Sequence, residues 1–162
     1  MKTTLTWAAG PLLLLAALAA CGQPEPATER VALADAQDAV EMVVYKTPTC
    51  GCCNDWIDHM RAAGFPAEAV DTTHAALQEI KKAQGVPAQM GSCHTAVVNG
   101  YVVEGHVPAE DVARMIRERP DIRGLTVPGM PMGSPGMEGL VSQRYDVIAI
   151  GKDGTQTVWA SH

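Results

Sequence analysis

Met42-Val43-Val44-Tyr45-Lys46-Thr47-Pro48-Thr49-Cys50-Gly51-Cys52-Cys53-Asn54-Asp55-Trp56-Ile57 contains a strand, a break and the start of a helix in one run. Met42 to Tyr45 is short, apolar and β-branched, the pattern of a buried strand. Thr47-Pro48-Thr49 ends it, since proline has no amide proton for a ladder. Beyond the break, Cys53, Trp56, Ile57, Met60 and Gly64 recur at i, i+3, i+4, i+7 and i+11, one stripe of a helix that stops at Gly64. Cys50, Cys52 and Cys53 therefore stand where a strand hands over to a helix. There the unpaired amides of the first turn favour thiolate over thiol.

The pattern continues outward from this junction. Pro66 to Asp71 reads as a second strand, and a second helix runs from about His74 to Ala83 with Leu77 and Ile80 inward, stopped by Gly85-Val86-Pro87. Thr95 to Val98, Asn99-Gly100 and Tyr101 to Glu104 form the signature of a β-hairpin with a two-residue turn. Pro108 opens a third helix with Val112, Met115 and Ile116 inward, and Pro120 stops it. Strand, helix, strand, helix, hairpin, helix is the thioredoxin-like layout, an α/β mixed sheet with flanking helices. The stretch from Gly124 to Met137 differs in character. Its glycines and prolines exclude a helix and argue against a central strand. Tyr145 to Ile150, a turn over 151–154, and Thr155 to Trp159 read as a C-terminal hairpin.

The first residues call for a separate reading. Lys2 precedes an apolar run from Leu5 to Ala20 that is too short and irregular to span a membrane. It ends in Leu18-Ala19-Ala20-Cys21, which resembles the lipobox of bacterial lipoproteins. That resemblance implies a signal peptide over 1–20, lipidation of Cys21, and a Pro-containing tether over 21–40 that lifts a domain at 41–162 off the membrane. The tether's second half, from Thr28, has the pattern of a short helix through Val31, Leu33 and Ala34. The expected location is the bacterial cell envelope, facing the periplasm, at the outer membrane in preference to the inner. The chain carries a formal net charge of −6 without basic clusters, which argues against nucleic acid as a partner and suits cations.

Assigning Cys21 to lipid changes the cysteine arithmetic. Of five cysteines, Cys50, Cys52, Cys53 and Cys93 remain as a set. Two disulfides are one reading, with Cys50–Cys53 and Cys52–Cys93 the first pairing to consider. Cys52 and Cys53 are neighbours whose Cα atoms stand about 3.8 Å apart, below the roughly 4.4–6.8 Å of ordinary disulfides, so they cannot pair with each other easily. A third thiol inside a CxxC interferes with disulfide exchange. For a metal it is useful, because thiolates are soft ligands that select Cu(I) and can bridge ions. The layout places Cys93, in Gly91-Ser92-Cys93-His94-Thr95, on the loop facing the first helix. Cys93 and His94 stand where thioredoxin-like proteins carry a proline and its predecessor. His94, His106, Met130, Met132 and Met137 are further candidates as metal ligands or as groups supporting them, the methionines because thioethers also suit Cu(I). His59 and His74 read as surface residues and His162 as a free chain end.

Taken together, Tyr45 to Cys53, Met90 to Ala96, Glu104 to Pro108, Gly129-Met130-Pro131 and Gly133 to Glu138 resemble the CopG-type family of exported metal-binding proteins associated with copper resistance. The resemblance covers about residues 41–150. It implies a thioredoxin-like fold and a multinuclear copper(I)–thiolate site on Cys50, Cys52, Cys53 and Cys93. It also implies a role in copper(I)/copper(II) conversion or in transfer to a partner protein. Two other classes compete with copper binding: a thiol–disulfide oxidoreductase using Cys50 and Cys53, and a closed structural zinc site of four thiolates. The residues leave enzymatic turnover open.

Overall fold

The computed structural model describes residues 41–162, so the lipobox, the tether and its short helix lie outside the described residues. The strands are β1 (Met42–Lys46), β2 (Ala67–Asp71), β3 (Thr95–Val98), β4 (Tyr101–Glu104), β5 (Ile122–Thr126), β6 (Asp146–Gly151) and β7 (Gln156–Ser161). Among the described residues three α-helices accompany them, α1 (Gly51–Ala62), α2 (His74–Ala83) and α3 (Ala109–Glu118), with a short 3-10 helix at Ala88–Met90. All the strands join one sheet in the order β2-β1-β3-β4-β5-β6-β7. β2 runs parallel to β1, β3 and β4 form an antiparallel hairpin, and α3 carries the chain across to β5, parallel to β4. This is the thioredoxin-like α/β arrangement, extended at one edge by the C-terminal hairpin.

The helix stripe read from the sequence is the face that packs. Cys53, Trp56, Ile57 and Met60 of α1 are all buried, and the last three share one core with Met42 and Val44 of β1 and Ala96 and Val98 of β3. Val112, Met115 and Ile116 of α3 are likewise buried. On α2 the inward face is Leu77 and, one turn on, Lys81; Ile80 is only half-buried. Asn99 and Gly100 both have positive φ, 48° and 80°, as a two-residue turn matched to strand twist requires.

Two expectations are overturned here. Ile122 to Thr126 is a strand inside the sheet, between β4 and β6, although Gly124 to Thr126 read as part of a non-strand loop. The prolines that argue against a strand begin only at Pro128. Gly124 sits where a Cβ would collide with the carbonyl of Val102, so glycine is what lets β5 approach β4. His162 is not a free end. Its backbone exchanges hydrogen bonds with Tyr145, and its ring stacks on Tyr145 and meets Asp111 at 2.7 Å.

No helix among the described residues is long and apolar enough to cross a membrane.

Candidate metal centre

Cys50 caps α1 and Cys52 and Cys53 occupy its first turn, so three sulfurs gather at the positive end of the helix. Cys50 and Cys53 are joined as a disulfide with Cα atoms 5.3 Å apart, while Cys52 and Cys93 are free thiols. Cys93 lies on the loop before β3, and its Sγ is 4.0 Å from that of Cys52, which is in turn 3.7 Å from Cys50 Sγ. The four sulfurs all lie within 4.8 Å of one another. The structure thus contains one half of the disulfide pairing considered above and leaves the other half open.

A second grouping shares Cys93. His94 Nδ1 lies 3.3 Å and His106 Nε2 3.0 Å from Cys93 Sγ. His106 Nδ1 faces the Pro135 carbonyl at 2.8 Å, so Nδ1 carries the proton and Nε2 offers a lone pair to the sulfur. Both imidazoles are fully buried. Burial holds His94 well below the usual histidine range, helped by the charges of His106 and Lys81, and burial also lowers His106. Burial pushes the Cys93 thiol up to about 12, reinforced by Cys52. The resting pair is therefore a neutral thiol donating to a neutral imidazole. Nε2 of His94 has no hydrogen-bond partner at all, and its ring lies 4.4 Å from that of Trp56.

The raised thiol has a measurable consequence. Its folded-state value lies above the unfolded 9.0, so its contribution to stability is complete below about pH 9 and is lost as pH climbs toward 12. Tyr145 is also pushed up to about 12 by burial and moves stability the same way. The urea midpoint of the metal-free protein should fall over this window, and Cys93→Ser should make the fall shallower. An equal fall in both proteins would refute the assignment.

The hairpin register explains why His106 meets Cys93. Thr95 pairs with Glu104 and the Gly105 amide donates to the His94 carbonyl, so the next residues outward, Cys93 and His106, come side by side. The methionine loop, residues 127–138 with Met130, Met132 and Met137, then closes over this group. Ser92 Oγ donates to the Gly129 carbonyl, the Pro135 carbonyl takes His106, and Gly136 lies against the first turn of α1. Met130 is half exposed, whereas Met132 and Met137 are partly covered.

Several roles here have no counterpart in the sequence reading. His59, read as a surface residue, accepts the Ala109 amide at 3.1 Å and so caps α3, whose N-cap Pro108 offers no side-chain acceptor. Glu104 is fully buried, ion-paired with Lys81 of α2, and accepts the Ser92 amide at 2.6 Å and the Thr95 hydroxyl at 2.7 Å. The signal for Lys81 is its spacing four residues after Leu77, on the face that must be buried.

Residues 90–137 match a family model described as a protein of unknown function, DUF411. No curated protein matches the chain. Two solved structures do. One, described as "Copper resistance protein copG- Form 2", has a TM-score of 0.69 and 45% identity, over 76% of this chain and 98% of that one. The other, "Copper resistance protein copG- Form 1", has a TM-score of 0.70 and 44% identity, over 75% of this chain and 96% of that one. At that identity, over nearly the whole of those structures, the chain is a member of the CopG family.

Proposed function

We propose that this chain binds copper as Cu(I) in a multinuclear thiolate site made by Cys50, Cys52, Cys53 and Cys93, and serves copper resistance in the bacterial envelope. The observation that carries this reading is the convergence of the four sulfurs within 4.8 Å of one another at a helix start. The donor set fits the ion. Four soft sulfurs prefer Cu(I) to harder cations, and thiolates that bridge can hold more than one ion in so small a space. Similarity to proteins described as copper resistance proteins supports the choice of metal. His94 and His106 are neutral at neutral pH, which leaves lone pairs to support or join the site, and the thioethers of Met130, Met132 and Met137 are further soft donors on the loop whose Pro135 carbonyl meets His106. Lipid on Cys21 anchors the protein so that the site faces the periplasm. Transfer to a partner protein, or redox cycling of the ion, would use the same sulfurs.

The disulfide between Cys50 and Cys53 bears on the competing reading. Two of the four sulfurs cannot act as thiolate ligands until two electrons reduce them, so copper loading requires the reduced protein. The same bond favours thiol–disulfide oxidoreductase activity as the second reading.

Metal analysis of protein reduced anaerobically decides between them. Copper(I) should load to more than a single ion per chain and displace zinc, oxidised protein should load poorly, and Cys52→Ser should lose the multinuclear species. Unchanged loading in Cys52→Ser would refute the cluster. Rapid reduction of a small disulfide substrate by Cys52→Ser, together with weak copper uptake by the wild type, would establish the oxidoreductase instead.

A further inference from the structure

Glu104 and Lys81 form a buried ion pair whose stability value is small by general experience. Taking two charges out of water is costly, and replacing such pairs by apolar residues is often neutral or even stabilising. What distinguishes this pair is where its hydrogen bonds go. The carboxylate accepts from Lys81 Nζ, the Ser92 amide and the Thr95 hydroxyl, and Lys81 also donates to Thr95 Oγ1 at 2.9 Å. Ser92 immediately precedes Cys93, Thr95 immediately follows His94, and Glu104 stands two residues before His106. Thr95–Glu104 is the last ladder pair of the hairpin, so the chain at Ser92 has left the sheet. Its buried-side amide is satisfied by the carboxylate in place of a neighbouring strand. Lys81 fixes that carboxylate to α2, outside the hairpin.

We propose that the Lys81–Glu104 pair is the positioning device of the fourth thiol: Glu104 sets Cys93 against Cys52 by holding the Ser92 amide. The proposal rests on reading the four cysteines as one site, but its test needs no copper. Failure of copper to bind and failure of this device are therefore separate results.

The experiment measures how closely Cys93 is held to Cys52, whose sulfurs are 4.0 Å apart. In full-length protein carrying Cys50→Ser and Cys53→Ser, oxidised glutathione converts the two remaining thiols of the site to a disulfide and is itself reduced to two glutathione thiols. The equilibrium gives the effective concentration of one thiol at the other. Two double variants isolate the tether. Lys81→Met with Glu104→Gln removes the charges and keeps an acceptor for the Ser92 amide. Lys81→Met with Glu104→Leu has the same charge and similar volume but no acceptor. The glutamine version should keep the effective concentration within about threefold, and the leucine version should lower it at least about tenfold, as expected when a preset geometry is released. The urea midpoints of the two should stay close.

Ser92→Pro, compared with Ser92→Ala, is a second route that leaves the ion pair intact: both lose the hydroxyl that donates to Gly129, and only the proline also loses the amide proton. Gly91 before it is extended, φ −70° and ψ 151°, and so tolerates a following proline. The proline should show the same loss relative to the alanine. Equal effective concentrations in the glutamine and leucine versions, or equal values in Ser92→Pro and Ser92→Ala, would overturn the proposal and leave the pair a core contact.

Discussion

Cys93→Ser should abolish the multinuclear copper species while leaving the fold intact. The loss in Cu(I) affinity should be at least about 100-fold, beyond the roughly 10–100-fold that removal of an outer supporting partner costs. The change exchanges one soft sulfur for a hard oxygen at the one ligand that does not come from α1. Without it, the remaining three sulfurs sit at one helix start with no cysteine sulfur facing them across the site. The fold should survive because Cys93 is only partly buried and serine preserves the hydrogen bond. A serine hydroxyl can donate to His106 Nε2 as the thiol does, and His106 stays oriented by Pro135. Chelator competition under anaerobic conditions reads the affinity, and thermal unfolding of the metal-free protein reads the fold. His106→Phe supplies the comparison, since it removes a neighbour and keeps all four sulfurs; its loss should stay within the roughly 10–100-fold range for an outer partner. If Cys93→Ser and His106→Phe cost the same, Cys93 is not the facing ligand.

Much of this site was legible before any coordinates, and the reasons are local. A strand that ends in Pro48 and a stripe beginning at Cys53 fix the junction where three of the thiols must stand. Asn99-Gly100 fixes a two-residue turn and with it the whole hairpin register, from Val98 opposite Tyr101 to Thr95 opposite Glu104. Carried two residues beyond the ladder, that register already places Cys93 opposite His106. Strand patterning stops short of it, because neither residue belongs to a strand. The ion pair was out of reach for a different reason. Spacing puts Lys81 on the inward face of α2, but nothing in the sequence pairs it with Glu104, and only the packing of α2 on the hairpin shows that both are enclosed. β5 was hidden by composition, since a short strand built around Gly124 merges with the Pro/Gly-rich run that follows it. Nor does periodicity tell a C-terminal hairpin whether to form its own layer or, as here, to extend the sheet through β5 and β6.

Gly136→Ala should be the most damaging single methyl group in the methionine loop. Two costs coincide at this position. Gly136 has φ +79°, a left-handed conformation that costs other residues roughly 1–2 kcal/mol. A Cβ there would also lie 2.7 Å from the Cys52 carbonyl oxygen and 2.7 Å from the Trp56 amide nitrogen, both backbone atoms of α1. Helix backbone cannot swing aside as a side chain can, so the loop must lift, and such overpacking costs about 1–3 kcal/mol more. The total, about 2–5 kcal/mol, should show as a lowered urea midpoint. Gly129 is the internal control. It shares the left-handed geometry, φ +71°, but a Cβ there meets nothing within 4 Å, so Gly129→Ala should cost only about 1–2 kcal/mol. The larger effect has a functional side. The residue before Gly136 is Pro135, whose carbonyl holds His106 Nδ1 at 2.8 Å. Lifting the loop frees that ring and, through it, the environment of Cys93. Gly136→Ala should therefore weaken Cu(I) binding even at temperatures where it is fully folded, whereas Gly129→Ala should not. Equal stability losses in the two variants would show that α1 yields at the contact, and the loop would then not be the clamp that keeps His106 on Cys93.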